Sequence, residues 1–176
     1  MASDTAPEDF VRPDNTLPTI FDLLVLQRGS SIFFDYLRES GAISKRMKDE
    51  SVKTTLLLPT NKAVISLGWK PHHGPPKPSP DGEIGVEITE EMGKANVERW
   101  LSAHILPVDD IDFTSENPLP TLLEGRSVSV LKTHTGQSEE WQNYGLAQGD
   151  GAIGLKKRIP ASNGVLYVID GTLSSE

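Results

Sequence analysis

The segment Thr-Leu-Leu-Leu-Pro-Thr-Asn-Lys-Ala-Val occupies positions 55–64 and carries the strongest indication of the fold. Its leucines and β-branched residues predict a buried strand over 54–58. Pro59 ends that strand, because proline has no amide hydrogen to donate to a neighbouring strand. Thr60 or Asn61 is suited to cap a short helix that runs to Leu67. A strand that leads directly into a capped helix predicts a rigid corner.

Two further segments follow at positions 101–107 and 163–170. The first reads Leu-Ser-Ala-His-Ile-Leu-Pro and closes a helix that we predict to begin at Thr89. The apolar face of this helix extends through His104 and Ile105 before Pro107 ends it. The second reads Asn-Gly-Val-Leu-Tyr-Val-Ile-Asp and places a turn before a continuous apolar run, which is typical of a buried strand. None of the three segments carries a nucleophile, a metal cluster or a phosphate-binding loop.

Helical patterns dominate the first half of the chain and strand patterns the second. In the first half, helices are predicted after Thr19 and after Ser31, with Gly41 as the C-terminal glycine of the second helix. A charged connector is predicted over residues 45–53. The strands of the second half are predicted at residues 127–131, 152–155 and 165–169. The fold class is therefore α+β, with an antiparallel-rich β-sheet core and an N-terminal helical layer.

In this order the three segments resemble the two signature boxes and the central histidine box of a fasciclin (FAS1) domain. The turn at residues 121–125 is similar to another part of the family pattern, and the likeness runs from about Thr19 to Leu173. It implies a single-domain protein of fungal type with the wedge-shaped FAS1 fold. The residues that match the structural signature are Pro59, Thr60, Asn61, His104, Asn163, Gly164 and Asp170.

The resemblance also implies a function, because fasciclin domains are known for adhesion and partner binding. It implies no enzymatic activity, no catalytic residue and no cofactor, and the chain contains no Gly-x-Ser-x-Gly, His-Glu-x-x-His, Walker or dinucleotide motif. In some animal members a tyrosine before the histidine is linked to integrin binding; Ala103 stands there, so that activity is not implied. For His104 the resemblance implies a structural hydrogen bond to the Thr60–Asn61 corner.

The composition of the chain limits which classes of partner and which cellular compartments are expected. A net charge of −8 and a pI near 5.0 argue against nucleic-acid binding. No cysteine is present for disulfides or thiolate metal sites, and no apolar run predicts a membrane span. We expect a monomer outside the cell, at its surface or in the secretory-pathway lumen, including the vacuole, with targeting segments absent from this chain. An intracellular adaptor at an organelle is the alternative.

Two segments of the chain are predicted to lie outside the packed core. Residues 1–18 are read as a flexible N-terminal arm, which leaves 19–176 as the single domain. Residues 68–85 contain five prolines and predict an extended surface loop. Because long loops often carry binding residues, we expect a protein or glycan partner at this loop. Its predicted contact residues are Trp69, Lys70, His72, His73 and Lys77.

Several side chains have competing interpretations. Trp69 either packs the loop down or offers a contact surface. Trp141 and Tyr144 are predicted to pack against the sheet; the alternative is a carbohydrate-binding module in which exposed aromatic rings stack on sugars. His72 and His73 are neighbours whose side chains are expected to point apart and which have no third ligand, so no metal site is predicted.

Each of two clusters of charged residues is interpreted either as solvated surface or as an ion-binding site. The acidic residues at 109–112 are predicted to be a solvated turn, since they lack the ligand spacing of a calcium loop. The basic residues at 156–158 are predicted to be an exposed strand end that prevents edge pairing, and an anion-binding patch is the alternative.

Overall fold

The computed structural model describes residues 16–77, 81 and 87–176, and a curled six-stranded β-sheet forms its centre. The strands are β1 (Thr54–Pro59), β2 (Ile105–Leu106), β3 (Leu119–Pro120), β4 (Ser127–Val128), β5 (Val130–Lys132), β6 (Tyr144–Gln148), β7 (Gly151–Ala161) and β8 (Gly164–Ile169). The α-helices are α1 (Ile20–Leu26), α2 (Ser31–Glu39), α3 (Gly41–Lys48), α4 (Asn61–Ile65) and α5 (Glu90–Ser102). Single turns of 3-10 helix lie at Arg28–Ser30, Pro71–His73 and Glu140–Asn143.

The sheet has the strand order β2-β1-β8-β7-β6-β5, and β3 and β4 form a separate two-stranded ladder. β1 and β8 are parallel neighbours, whereas the other adjacent pairs run antiparallel. All six residues of β1 are buried, because this strand is covered on both faces. The prediction of an α+β domain with an antiparallel-rich sheet and an N-terminal helical layer is confirmed.

The two faces of the sheet carry separate hydrophobic clusters. On β1, Leu56 and Leu58 belong to the first cluster and Leu57 to the second, as the two-residue period of a strand requires. The first cluster packs the sheet against α1, α2, α3 and α5, and Phe33 and Trp100 lie at its centre. The second is closed by loops and by residues near the C-terminus.

Local capping signals placed several helices correctly. The Thr19 hydroxyl accepts a hydrogen bond from the amide of Asp22 at the start of α1. In the same way, the Thr60 hydroxyl accepts one from Ala63 in α4.

The connector predicted at residues 45–53 and the role predicted for Gly41 are wrong. Gly41 is the first residue of α3, and this helix continues to Lys48. Ile43 and Met47 of α3 are buried four residues apart, so one helical face packs into the first cluster while the charged residues face water. The high charge of the segment concealed this narrow apolar face.

The predicted end of α5 is also wrong. The helix stops at Ser102, and Ile105 and Leu106 form β2 instead. Leu106 and Ile105 pair with Thr55 and Leu56 of β1. The helical spacing of the apolar residues was correct up to Leu101, but pairing with the sheet edge determines the conformation of the next residues.

The basic residues at 156–158 do not form an exposed strand end. They lie inside β7, beside a register irregularity at Leu155 and Lys157, in a part of the strand that pairs with β8, whereas β6 pairs with residues 151–154. Lys156 forms an ion pair with Asp170 over 3.2 Å, and Arg158 pairs with Asp110. The prediction is therefore wrong about a strand end, although Lys156 and Lys157 are exposed as predicted.

The predicted N-terminal arm falls mostly outside the described residues, since 1–15 are not among them. Residues 16–18 are exposed and have no regular secondary structure, and the carbonyl of Pro18 accepts a hydrogen bond from the amide of Ser162. The division of the chain at residue 18 stays a prediction.

Candidate functional site

Asn61, at the corner after β1, binds a neighbouring helix from outside. Its Oδ1 accepts a hydrogen bond from the amide of Ile32 at 2.9 Å, and its Nδ2 donates to the Ser31 hydroxyl at 3.1 Å. Both partners lie in the first turn of α2. Ser30, the residue at the N-cap position of α2, makes no capping bond with its own side chain. Asn61 therefore supplies that cap from 29 residues further along the chain.

Asn163, in the β7–β8 turn, likewise caps the ends of two other helices. It is fully buried; its Oδ1 accepts from the amide of Ile20 at 2.9 Å, and its Nδ2 donates to the carbonyl of Met47 at 2.8 Å. These partners lie at the first residue of α1 and in the last turn of α3. Next to it, Gly164 has φ +143° and pairs with Thr54 of β1.

His104 is buried, and its hydrogen-bond partners differ from those predicted. Nδ1 lies 2.7 Å from the carbonyl of Trp100, and Nε2 accepts from the amide of Leu173 at 3.0 Å. Neither partner belongs to the Thr60–Asn61 corner. Since a carbonyl can only accept, Nδ1 carries the hydrogen and the ring is neutral. Burial lowers the pKa of His104 from 6.5 to about 4, and the bond to Trp100 opposes that effect.

The acidic cluster at 109–112 is not simply solvated. Asp110 accepts a hydrogen bond from the Tyr167 hydroxyl at 2.6 Å and forms an ion pair with Arg158. Burial, and then the hydrogen bond to Asp110, raise the pKa of Tyr167 above its ordinary value. The carboxylate of the signature residue Asp170 accepts a hydrogen bond from the amide of Gly154 at 2.7 Å. The signature residues thus connect elements of the fold, and their polar atoms are occupied by partners within the chain.

A different surface offers free contact area. We call it the Trp69 cleft: an open depression of about 470 Å³ between α2, α4 and the start of the proline-containing segment. It is lined by Ile32, Tyr36, Val64, Ile65, Gly68, Trp69, Lys70, Pro71 and His72. Ile65 on its rim is 70% exposed. Trp69 and Tyr36 are half-buried and pack against the first cluster with part of each ring still accessible.

The floor of the cleft is held rigidly. Pro71 opens a turn of 3-10 helix, which corrects the prediction of extended backbone at this point, since a proline fits the first position of a helix. Pro71 and Gly74 are buried, and Nδ2 of Asn96 in α5 donates to the carbonyl of His72 at 3.1 Å. The beginning of the predicted loop is therefore attached to α5. Residues 78–80 and 82–86 lie outside the described residues.

Basic residues determine the electrostatic environment of the cleft. Burial lowers the pKa of His72, and the nearby His73 and Lys70 lower it further. Nδ1 of His72 lies 3.4 Å from the Tyr36 hydroxyl. The two imidazole rings do not point apart as predicted, since their centroids are 4.2 Å from each other. The other predicted contact residue, Lys77, is exposed and does not line the cleft.

Trp141 and Tyr144, the other predicted aromatic contacts, lie elsewhere. Trp141 packs against the second cluster and donates its indole hydrogen to Glu139 at 2.9 Å. The ring of Tyr144 stacks on Phe113, with the centroids 4.9 Å apart. Trp69 packs against the first cluster, so the structure separates these rings from Trp69 by placing them over opposite faces of the sheet.

Sequence reasoning missed the part of the cleft that α2 and α4 contribute. The helical pattern after Ser31 gives Ile32 and Tyr36 a place on the apolar face, which predicts packing and no binding role, and Ile65 has no predicted role. Only Ile65 carried a usable signal, as an isoleucine near the end of a short helix that already buries Ala63 and Val64. Its exposure depends on where α2 and the Trp69 segment lie.

The described part of the chain has neither a metal-binding cluster nor a membrane-spanning helix. Within residues 16–77, 81 and 87–176, no three His, Asp or Glu side chains are placed to hold a metal ion together. Over the same residues, none of the helices has the length and apolar character needed to cross a bilayer.

Residues 28–175 match the sequence pattern of the fasciclin domain. This chain belongs to the fasciclin family. It is 28% identical over 170 residues to a FAS1 domain-containing protein of Emericella nidulans, which covers 91% of this chain and 63% of that protein. It is 32% identical over 93 residues to a FAS1 domain-containing protein of Aspergillus fumigatus, covering 51% of this chain and 40% of that protein. The chain thus spans about two-fifths to two-thirds of the length of these curated fungal relatives.

A solved structure with the same fold is the FAS1 domain pair of the insect cell adhesion molecule Fasciclin I. The TM-score is 0.63 at 15% identity, and the match covers 90% of the FAS1 chain described here and 51% of the insect chain. FAS1 domains are commonly adhesion or protein-interaction modules and are generally not enzymes. Proteins that contain them are often extracellular or secreted.

Proposed function

We propose that this FAS1 domain is a non-enzymatic interaction domain that binds a protein partner through the Trp69 cleft and the loop that follows it. The observation that supports the proposal best is the combination of exposed apolar surface and rigid support in one place. Ile65 is 70% exposed beside Trp69 and Tyr36. A contiguous apolar depression at the surface of a domain is typical of a contact surface.

The composition of the cleft also fits the way binding energy is distributed in protein interfaces. Tryptophan and tyrosine are enriched among the residues that contribute most to binding, usually in pockets at the centre of the contact. Trp69 and Tyr36 line the cleft here, together with the aliphatic side chains of Ile32 and Ile65. The attachment of the segment to α5 through Asn96 reduces the entropy lost on binding, since little backbone needs to be ordered.

For the compartment, we propose the cell exterior or the secretory-pathway lumen, including the vacuole, where this domain would serve adhesion or scaffolding. Proximity labelling of the native protein in its source cell would identify the neighbours. Neighbours from the wall, matrix or lumen are expected. Neighbours from the cytosolic face of an organelle would contradict this assignment and support the adaptor role instead.

The contact surface is tested by replacing Ile65 with aspartate and measuring the affinity for the partner so identified. Ile65→Asp places a charge in the apolar contact, and we expect at least a tenfold loss of affinity, or about 1.4 kcal/mol. Its matched control is Leu131→Asp, a similar change at a residue that is 43% exposed on β5, and it should leave affinity unchanged. Equal affinity for both variants, with thermal unfolding intact, would rule out the cleft as the contact.

A glycan partner is the second candidate, favoured by the two aromatic rings in the cleft. Sugars commonly stack on such rings, and Trp69 is a fluorescent reporter at the site. Titration of the Trp141→Phe variant with wall polysaccharides should quench the remaining accessible tryptophan if the glycan binds in the cleft. Trp100 is 1% exposed and would contribute a constant background.

A further inference from the structure

The cleft has a local charge opposite to that of the whole molecule. The chain carries a net charge of −8, yet among the described residues that line the cleft none is acidic, and Lys70 and His72 lie there. Lys70 forms no ion pair with the residues that the structure describes. Glu39 raises the pKa of Tyr36 after burial does so, but it does not line the cleft. A positive charge is therefore available beside an apolar surface.

The shape of the cleft indicates what kind of occupant fits. Its volume of about 470 Å³ lies in the range of ligand sites. However, Ile65 on the rim is 70% exposed, so a free small molecule would keep one side in water, whereas ligand pockets usually bury most of the ligand. A side chain projecting from a protein has its other side covered by that protein. The open cleft suits an anchor side chain better than an isolated ligand.

From these observations we infer that the Trp69 cleft binds a protein segment in which an aliphatic or aromatic side chain stands next to an aspartate or glutamate. The apolar side chain would lie against Trp69, Tyr36 and Ile65, and the carboxylate would pair with Lys70 at the rim. This inference rests on the proposed function and adds the chemistry of the partner. Since most of this acidic domain repels an acidic segment, the cationic rim also fixes where such a segment docks.

His72 supplies a readout that a purely apolar contact would not change. Burial lowers the pKa of His72, and His73 and Lys70 near its ring lower it further. A carboxylate bound near Lys70 would favour the protonated imidazole, so the pKa of His72 should rise on binding. His134, which is exposed and far along the chain, serves as the internal reference in the same NMR titration.

The test is selection from a phage-displayed random dodecapeptide library on the domain, with peptides that also bind Ile65→Ser removed. We expect the enriched peptides to carry an acidic residue beside a large apolar one and to raise the pKa of His72. Lys70→Glu should weaken their binding at least tenfold. Replacing the acidic residue of the peptide with lysine should restore binding to the Lys70→Glu variant. The matched control, Lys77→Glu, changes a lysine outside the cleft and should have little effect.

Enrichment of basic or uncharged peptides, an unchanged His72 pKa, or no enrichment dependent on Ile65 would each overturn the inference. These results are separable from the fate of the proposed function. If Ile65→Asp abolishes binding of the native partner while selected peptides lack acidic residues, only the partner chemistry is wrong. If Ile65→Asp leaves the native partner bound, the proposed contact surface itself fails.

Discussion

At the scale of single residues, Gly164 has the least tolerance for a side chain. Its φ of +143° is a conformation that other residues rarely adopt. A β-carbon added there would overlap the carbonyl oxygen of Thr54 in the parallel neighbour β1. That oxygen belongs to backbone at the centre of the sheet and cannot move away without disrupting strand pairing.

Gly164→Ala is therefore expected to lower the free energy of unfolding by more than about 4 kcal/mol or to prevent folding. Gly41→Ala is the matched control, because Gly41 starts α3 and a β-carbon there would meet nothing within 4 Å. It should leave stability unchanged or raise it by up to about 1 kcal/mol. Urea denaturation measures both, and comparable stability of the two variants would contradict the proposed backbone clash.

At the scale of secondary-structure elements, two helices depend on caps that come from distant parts of the chain. α2 begins at Ser31 without a side-chain cap from Ser30, and Asn61 satisfies the amide of Ile32 instead. α1 begins with the amide of Ile20 bonded to Asn163. Because each cap spans two elements, the helical layer and the strand ends are mutually dependent.

Asn61→Ala should lower the free energy of unfolding by about 0.5–2 kcal/mol, the usual cost of a lost cap. The loss should be local, so amide hydrogen exchange of Ile32 should accelerate more than that of residues in α5. Lys62→Ala, one residue further on α4 and exposed, is the control and should stay within about 0.5 kcal/mol of wild type. Unchanged exchange at Ile32 would argue against capping across the chain.

At the scale of the whole molecule, a buried neutral histidine links stability to pH. His104 joins the end of α5 to the C-terminal segment through Trp100 and Leu173. Its pKa is lowered to about 4 in the folded state against 6.5 normally, first by burial. Above pH 6.5 the ring is neutral whether the chain is folded or not. Between pH 6.5 and pH 4 the unfolded chain takes up a proton that the folded chain does not.

The free energy of unfolding should therefore fall as pH falls through this window. Each pH unit corresponds to about 1.4 kcal/mol, which amounts to roughly 3 kcal/mol over the whole range. His104→Gln can replace the hydrogen bonds in part but does not titrate, so its stability should fall less between the same pH values. Urea denaturation of both proteins across the window tests this, and parallel pH profiles would contradict it.

Much of the fold was predictable because its signals are local. The strand at 54–59, its termination at Pro59 and the cap at Thr60 follow from backbone chemistry within a few residues. The same holds for the β7–β8 turn at Asn163–Gly164. The burial of His104 was predictable from the apolar pattern, although the residue lies in the turn after α5; its partner Leu173 was not predictable, since 69 residues separate the two.

Features that depend on contacts between secondary-structure elements could not be predicted from the local sequence. Ile105 and Leu106 have helical spacing but join the sheet, because β1 offers them a free edge. Asp110, predicted to be solvated, is held by Arg158 and Tyr167 from two different strands. The Trp69 cleft exists only because α2, α4 and the Trp69 segment converge. The family pattern and the local corners depend on residues that are close in sequence, so they could be predicted. Long-range packing determines the partners of buried polar groups and the exposed surface.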